Sequence, residues 1–333
     1  VGGFIGVNNY DIIEMSKCEN SGNVTVTTVE TAAPRVGGFA GHDTSNNYWK
    51  LTDCVNSGEI KVDGIVTGTS GYAVKLGGFF GIKDSGADVT FTRCANTGKV
   101  TLAGEQTAAW KDGVNYCVGG FVGYMGHADI FFVDCINGST TDATKGEVSI
   151  IGTTPAGVGL GGIIGVTVVA KTFEGLKNYG PVKMTASGGY SATHRVNIGG
   201  ILGGTKSGIG STINRCKNGG KIEHTSTVAT GEQTVAGICG CPMTGSILND
   251  CVNLASAEII GGGKTGSGYD IAGIGGGPNS PDVQFNRCKN YGTVKHTVQH
   301  SNSTYVGGIA GYGYSFKQFV GCENHGQVSS VGS

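Results

Sequence analysis

Eleven cysteines are the residues of this 333-residue chain whose type and spacing most readily suggest chemistry. Eight of them stand two residues before an asparagine: Cys18, Cys54, Cys94, Cys135, Cys216, Cys251, Cys288 and Cys322. Such a row could bind a soft metal or oxidise in pairs. Metal sites need ligands clustered at short spacing, which this row lacks, so no metal or cofactor is expected. Stacked strands would hold neighbouring β-carbons about 4.8 Å apart, wider than the roughly 3.8 Å usual in a disulfide. In one unit Leu176 takes the cysteine's place. The position therefore asks for a small apolar body, and the expectation is buried free thiols. Cys117, Cys239 and Cys241 are read as structural too.

Acid–base catalysis would need carboxylates, or a carboxylate with a base, grouped on one face. Asp53, Asp134 and Asp250 instead alternate with basic or neutral residues at the equivalent position, so no enzyme is expected. The seven histidines are scattered, and surface positions are expected for them. Recognition is left to the loops, where Trp49, Trp110, Tyr116 and Tyr190 are candidate ligand contacts. An exposed loop aromatic can stack on a sugar ring or anchor a protein partner. The same residues could equally close the ends of an apolar core.

What would position these groups is a repeat. A Gly-Gly phrase begins near residues 1, 36, 76, 118, 160, 198, 235, 271 and 306, with glycine at its third and sixth positions in all nine units. Its fourth position is always Phe or Ile. Sixteen to eighteen residues after each start comes the cysteine column, and two further on an unbroken asparagine column: Asn20, Asn56, Asn96, Asn137, Asn178, Asn218, Asn253, Asn290 and Asn324. Seven residues are inserted after Asn137 and two before Glu258. A unit of this length cannot bury its apolar stripe alone, but stacked units can.

Gly is plentiful at 63 residues, yet 38% of the chain is hydrophobic and periodic, which favours a glycine-punctuated β fold over disorder. The fold predicted is all-β: a right-handed parallel β-helix or related β-solenoid of about nine coils, 1–333 forming one segment, with about three short strands per coil. Stacking would turn the asparagine column into an amide ladder at a turn. Asn tolerates a left-handed backbone there, and the Gly that follows supplies positive φ or close approach. Apolar positions three apart, such as Leu51 and Cys54, demand a bend between them. The residue before each cysteine should point outward, and its charge alternates: Lys17, Asp53, Arg93, Asp134. A net charge of −1 points away from nucleic acid, and no apolar run is long enough to span a membrane.

The phrases Val306-Gly307-Gly308-Ile309-Ala310-Gly311-Tyr312 and Cys322-Glu323-Asn324-His325-Gly326-Gln327-Val328 resemble the GLUG-type repeat, and the resemblance extends over all nine units. Here charge mostly replaces the asparagine that the family places directly before the cysteine. The resemblance implies extracellular display at a bacterial cell surface, as in adhesin-like proteins, and carries over no catalytic residue. The chain is expected to be a segment of a longer polypeptide and a non-catalytic stalk whose loops contact host protein or glycan. The alternatives are a filament subunit stacking on itself through its coil ends and an accessory solenoid of a secreted enzyme.

Overall fold

The computed structural model describes the chain apart from residues 10–12, 29–33, 45–47, 66–73, 85–87, 106–113, 127–128, 154–156, 169, 188–194, 206–209, 266–267, 278–280, 300–301, 314–315 and 332–333. It is an all-β solenoid of parallel, stacked strands, with no helix among the described residues. The coil containing Cys54 runs through Arg35–Gly37, Ala40–Asp43, Trp49–Thr52, Val55–Asn56 and Ile60–Gly64. That is five strands rather than the three predicted, because the Gly-Gly phrase and the stretch around the cysteine each divide in two. Each of these strands pairs with its equivalent in the next coil, and on the first face Val36, Leu76, Val118 and Leu160 lie in one register. The expected nine coils are reached on two faces, those of the asparagines and of the strands that follow them. The two faces of the Gly-Gly phrase carry eight and seven strands, and the face before the cysteines is split into four and five.

Burial shows how a coil is layered. The two strands of the Gly-Gly phrase are buried on both sides, as in Leu76 with its neighbours and in Phe80–Lys83. The outer strands alternate, with Ile130–Val133 reading buried, exposed, buried, exposed. The Gly-Gly phrase is therefore re-entrant: it dips into the middle of the coil and divides the core into two. One half packs Val36, Leu76, Val118 and Leu160 against Ile60, Val100, Val148 and Val182. The other packs Phe39, Phe79, Phe121 and Ile163 against Leu51, Phe91, Phe132 and the cysteines. Within it Phe4, Phe39, Phe79 and Phe121 stack at 4.9, 4.6 and 4.7 Å between ring centroids.

Glycine at the sixth position lets the two central strands lie back to back. A β-carbon on Gly81 would stand 2.5 Å from Val36 N, and one on Gly123 2.5 Å from Leu76 N. The third-position glycine forms the tip of the re-entrant segment and rests on the asparagines. From Gly3 to Gly308, a β-carbon there would come within 2.2–2.7 Å of the asparagine side chain of the same coil.

Beneath that tip each Asn Nδ2 donates to the Oδ1 of the next coil's asparagine, at 2.7–2.9 Å from Asn20 through to Asn324. The other N–H donates to the carbonyl of the glycine two residues on, as from Asn56 to Gly58 at 3.1 Å. In the coil with the insertion the same bond closes over it, from Asn137 Nδ2 to Gly146 O at 2.8 Å. The left-handed backbone lies elsewhere than predicted. It is the residue before each cysteine that has positive φ, between 51° and 65° in Lys17, Asp53, Arg93, Asp134, Gly175, Arg215, Asp250, Arg287 and Gly321. None of the nine ladder asparagines has positive φ, and the glycine two residues after Asn56 or Asn96 serves only for close approach. The left-handed residue makes the bend that the three-residue spacing requires, at a cost of about 1 kcal/mol for a non-glycine. Its side chain turns outward, where Arg93 grips Asp53 at 2.7 and 2.8 Å and Arg287 grips Asp250 at 2.7 Å twice.

All eleven cysteines are free thiols, nine of them buried and Cys18 and Cys322 half-buried. Several donate to carbonyls of the preceding coil, as Cys94 does to Leu51 O at 3.4 Å and Cys251 to Ile213 O at 3.3 Å. Burial pushes the Cys241 thiol up to about 12, so it stays protonated.

Two substitutions test this arrangement. Asn96→Ala leaves Asn56 Nδ2 and Asn137 Oδ1 without their ladder partners and should cost on the order of 3 kcal/mol in urea unfolding, against about 1 kcal/mol or less for the exposed Asn324→Ala. Gly78→Ala should be at least as damaging, because its β-carbon would stand 2.1 Å from Gly120 O; Gly22→Ala, with open space around it, should be close to neutral.

Candidate functional site

Two of the aromatic residues expected on loops are in the core. Trp49 opens a strand of the outer face and Tyr116 lies in a central one, and both are 0% exposed, so neither can meet a ligand. Trp49 instead packs edge-on against Phe80 at 4.8 Å. Trp110 and Tyr190 lie outside the described residues. His224 and His296, expected at the surface, are buried as well: they flank Tyr269, whose hydroxyl is 2.6 Å from His224 Nδ1. Gly261 makes room for that tyrosine, since a β-carbon there would stand 2.6 Å from its ring. Burial holds the His224 imidazole down to about 3. His224 and His296 stand at the inward positions of alternating outer strands, whereas Tyr116 and Tyr269 escape period-2 reasoning because the central strands have no solvent side.

The same double burial traps charge along the crevice between the two central sheets. Lys83 pairs with Asp43, both side chains fully buried, and Asn8 donates to the same carboxylate at 3.2 Å. Lys75 Nζ reaches Cys117 Sγ at 3.1 Å and lies 4.9 Å above the Tyr124 ring. Farther along, Arg195 pairs with Glu232 at 2.9 Å, and Asp270 is only 3% exposed. Burial above all, then the Glu232 charge, raises the Asp270 carboxyl to about 7, with Arg195 opposing. These groups brace the crevice. Among the described residues no cluster of three or more His, Cys, Asp or Glu could hold a metal.

A groove on the outer face breaks the repeat. The sheet before the cysteines stops at Ile130–Val133 and resumes at Thr172–Glu174, and among the described residues no backbone hydrogen bond joins 130–134 to 170–175. At the neighbouring coils the ladder is intact, with Arg93 N donating to Val133 O at 2.8 Å and Gly175 N to Asn214 O at 2.9 Å. The break coincides with the coil in which Leu176 replaces cysteine and Gly175 replaces a charged residue.

Side-chain ion pairs clamp the opening at its two ends, Lys171 to Asp129 at 2.5 Å and Lys177 to Asp134 at 3.9 Å. Between and beside them lie two cavities in line with the strand. One of about 320 Å³ is lined by Asp129–Phe131, Ala170–Thr172, Gly210 and Thr212. The other, of about 650 Å³, is lined by Phe132–Asp134, Glu174, Gly175, Lys177, Arg215, Lys217 and Asp250. The lip itself is unlike the rest of the face. Outward positions elsewhere are mostly Thr, Asn and Gln, including a surface amide ladder from Asn286 to Asn249 to Asn214 at 2.8 and 2.9 Å. Here Phe131 and Val133 stand 50% and 49% exposed, the one described coil with two apolar side chains outward on this face. The opening thus sets an apolar rim beside polar backbone. The sequence carries a partial signal for it, Phe131 and Val133 together in columns whose other apolar members are Ile247 and Val320, but the break in pairing has none that can be read without coordinates.

In comparisons with known proteins, no family model, no curated protein and no solved structure matches the chain.

The crevice predicts a pH dependence. Folded Asp270 keeps its proton up to about pH 7, whereas unfolded it would release it near its ordinary 3.8. Its contribution to stability is therefore full below that lower value and is lost as pH rises through the folded one. The melting temperature of the wild type minus that of Asp270→Asn should fall between about pH 4 and about pH 7 and then level off. A flat difference would show that the carboxyl is not held neutral.

Proposed function

We propose that the protein is a non-catalytic structural and adhesive module, a β-solenoid stalk displayed outside a bacterial cell that holds a partner in the groove beside its fourth coil. The observation that carries this reading is the apolar pair Phe131 and Val133, both outward on one coil of a mostly polar outer face, set where that sheet opens among the described residues. Stacking needs neither feature. A coil that follows its columns would put Thr or Asn outward and pair with both neighbours, so the departure is unexplained by the rod alone. The resemblance of the repeat phrases to GLUG-type surface proteins supports the extracellular setting. It also gives the rod a role, to carry a contact surface away from its anchorage.

The reading is tested by adhesion to immobilised matrix proteins and mucin glycoproteins. Wild type should bind at least one, and the double variant Phe131→Ser/Val133→Ser should bind it about tenfold more weakly, a loss of about 1.4 kcal/mol. Both side chains are half-exposed, so the unfolding midpoint should stay within about 0.5 kcal/mol of wild type. Binding that survives the double substitution would place the partner elsewhere, and no binding to any surface would leave a spacer.

A further inference from the structure

We infer that the groove beside the fourth coil accepts an uncharged, hydroxyl-rich chain, a neutral oligosaccharide lying along the strand direction. This rests on the adhesive reading of that groove and names its ligand. The first argument is steric. A peptide could join the two open lips only as an extra strand, which would need a further step of about 4.8 Å between the coils. The same two coils stay paired in register on their other four faces, through Val118 with Leu160, Val122 with Ile164, Asn137 with Asn178 and Val148 with Val182. The lips cannot part by the width of a strand. A hydroxyl both donates and accepts, so a row of them can bridge the amides of one lip and the carbonyls of the other without entering the ladder.

The second argument is charge. The lining holds Asp129, Asp134, Glu174 and Asp250 against Lys171, Lys177, Arg215 and Lys217. Three of the four acids pair within the lining: Asp129 with Lys171, Asp134 with Lys177, and Glu174 with Arg215 at 2.6 Å. The fourth, Asp250, is gripped by Arg287. Four acids against four bases give the lining no formal net charge to draw in an anionic polymer. Its charged side chains keep further donor and acceptor capacity that hydroxyls can meet. The third argument is the rim. Phe131 offers a half-exposed ring to the apolar C–H face of a pyranose, and the cavities of about 320 and 650 Å³ are lined by successive residues of the same strand, as successive sugar rings would need.

The test is titration of the protein, uniformly labelled with ¹⁵N, with cellohexaose, maltohexaose, chitohexaose and mannohexaose, and with polygalacturonate as the charged comparison. At least one neutral oligosaccharide should shift the amide signals of Ile130, Phe132 and Asp134, and Phe131→Ala should weaken its binding about tenfold while leaving the unperturbed spectrum otherwise unchanged. The inference is overturned if polygalacturonate binds and the neutral chains do not, if none binds, or if Phe131→Ala has no effect. Adhesion to a matrix protein that depends on Phe131 and Val133, with no oligosaccharide bound, would overturn the ligand class and leave the adhesive reading standing. Loss of both would remove both.

Discussion

The rest of the structure hangs on one contact, the carboxamide of each ladder asparagine held beneath a glycine backbone. That amide has four tasks at one point. It donates upward to the next coil, accepts from the coil below, donates sideways to close its own turn, and supports the tip of the re-entrant segment. No other side chain has two donors, a strong acceptor and so short a stem; aspartate would lack the donors, and glutamine would push the tip away. The cost of burying so polar a group is offset because every coil supplies the next coil's partner, so satisfaction is a property of the stack and never of one unit.

The re-entrant segment follows from that support, and the divided core follows from the segment. A hollow coil of this perimeter would have to fill one wide lumen with large side chains. Folding the Gly-Gly phrase inward replaces that lumen with two thin cores, each of which a layer of Phe, Ile, Leu and Val can fill at normal density. The penalty is backbone without solvent on either side. This is why Lys83 and Asp43 are caught there as a pair, why Lys75 lies against Cys117 and the Tyr124 ring, and why burial raises the Asp270 carboxyl.

Stacking, register, the amide ladder and the bend before the cysteines were legible in the sequence, because a column repeated down the chain reports a shared environment directly. The inward fold was not. Columns say that Phe39 and Val36 are both buried, but not that they are buried on opposite sides of a doubled strand. For the same reason Trp49 and Tyr116 passed for loop residues: each stands next to a variable stretch and belongs to the strand beside it. The site of left-handed backbone was also misassigned, since Asn and Gly favour that conformation, whereas the geometry demands it one step earlier and imposes it on Lys, Asp and Arg. The groove was half-visible at most. Phe131 and Val133 break a column, while missing hydrogen bonds leave no mark on residue types.

The bond from Asn137 to Gly146 spans seven added residues and still leaves both neighbouring coils in register, with Asn96 and Asn178 in their usual places on either side. The corner between asparagine and glycine is thus a port. Seven residues are accommodated there, closed by one N–H finding one carbonyl on the far side, while the coils above and below keep their register. The coil bearing residues 254–257 uses the same port at a smaller size, with Ala257 N turning back to Leu254 O at 2.9 Å. A lineage of such rods could change what it displays while its spine stayed the same, and a protein engineer could graft there for the same reason.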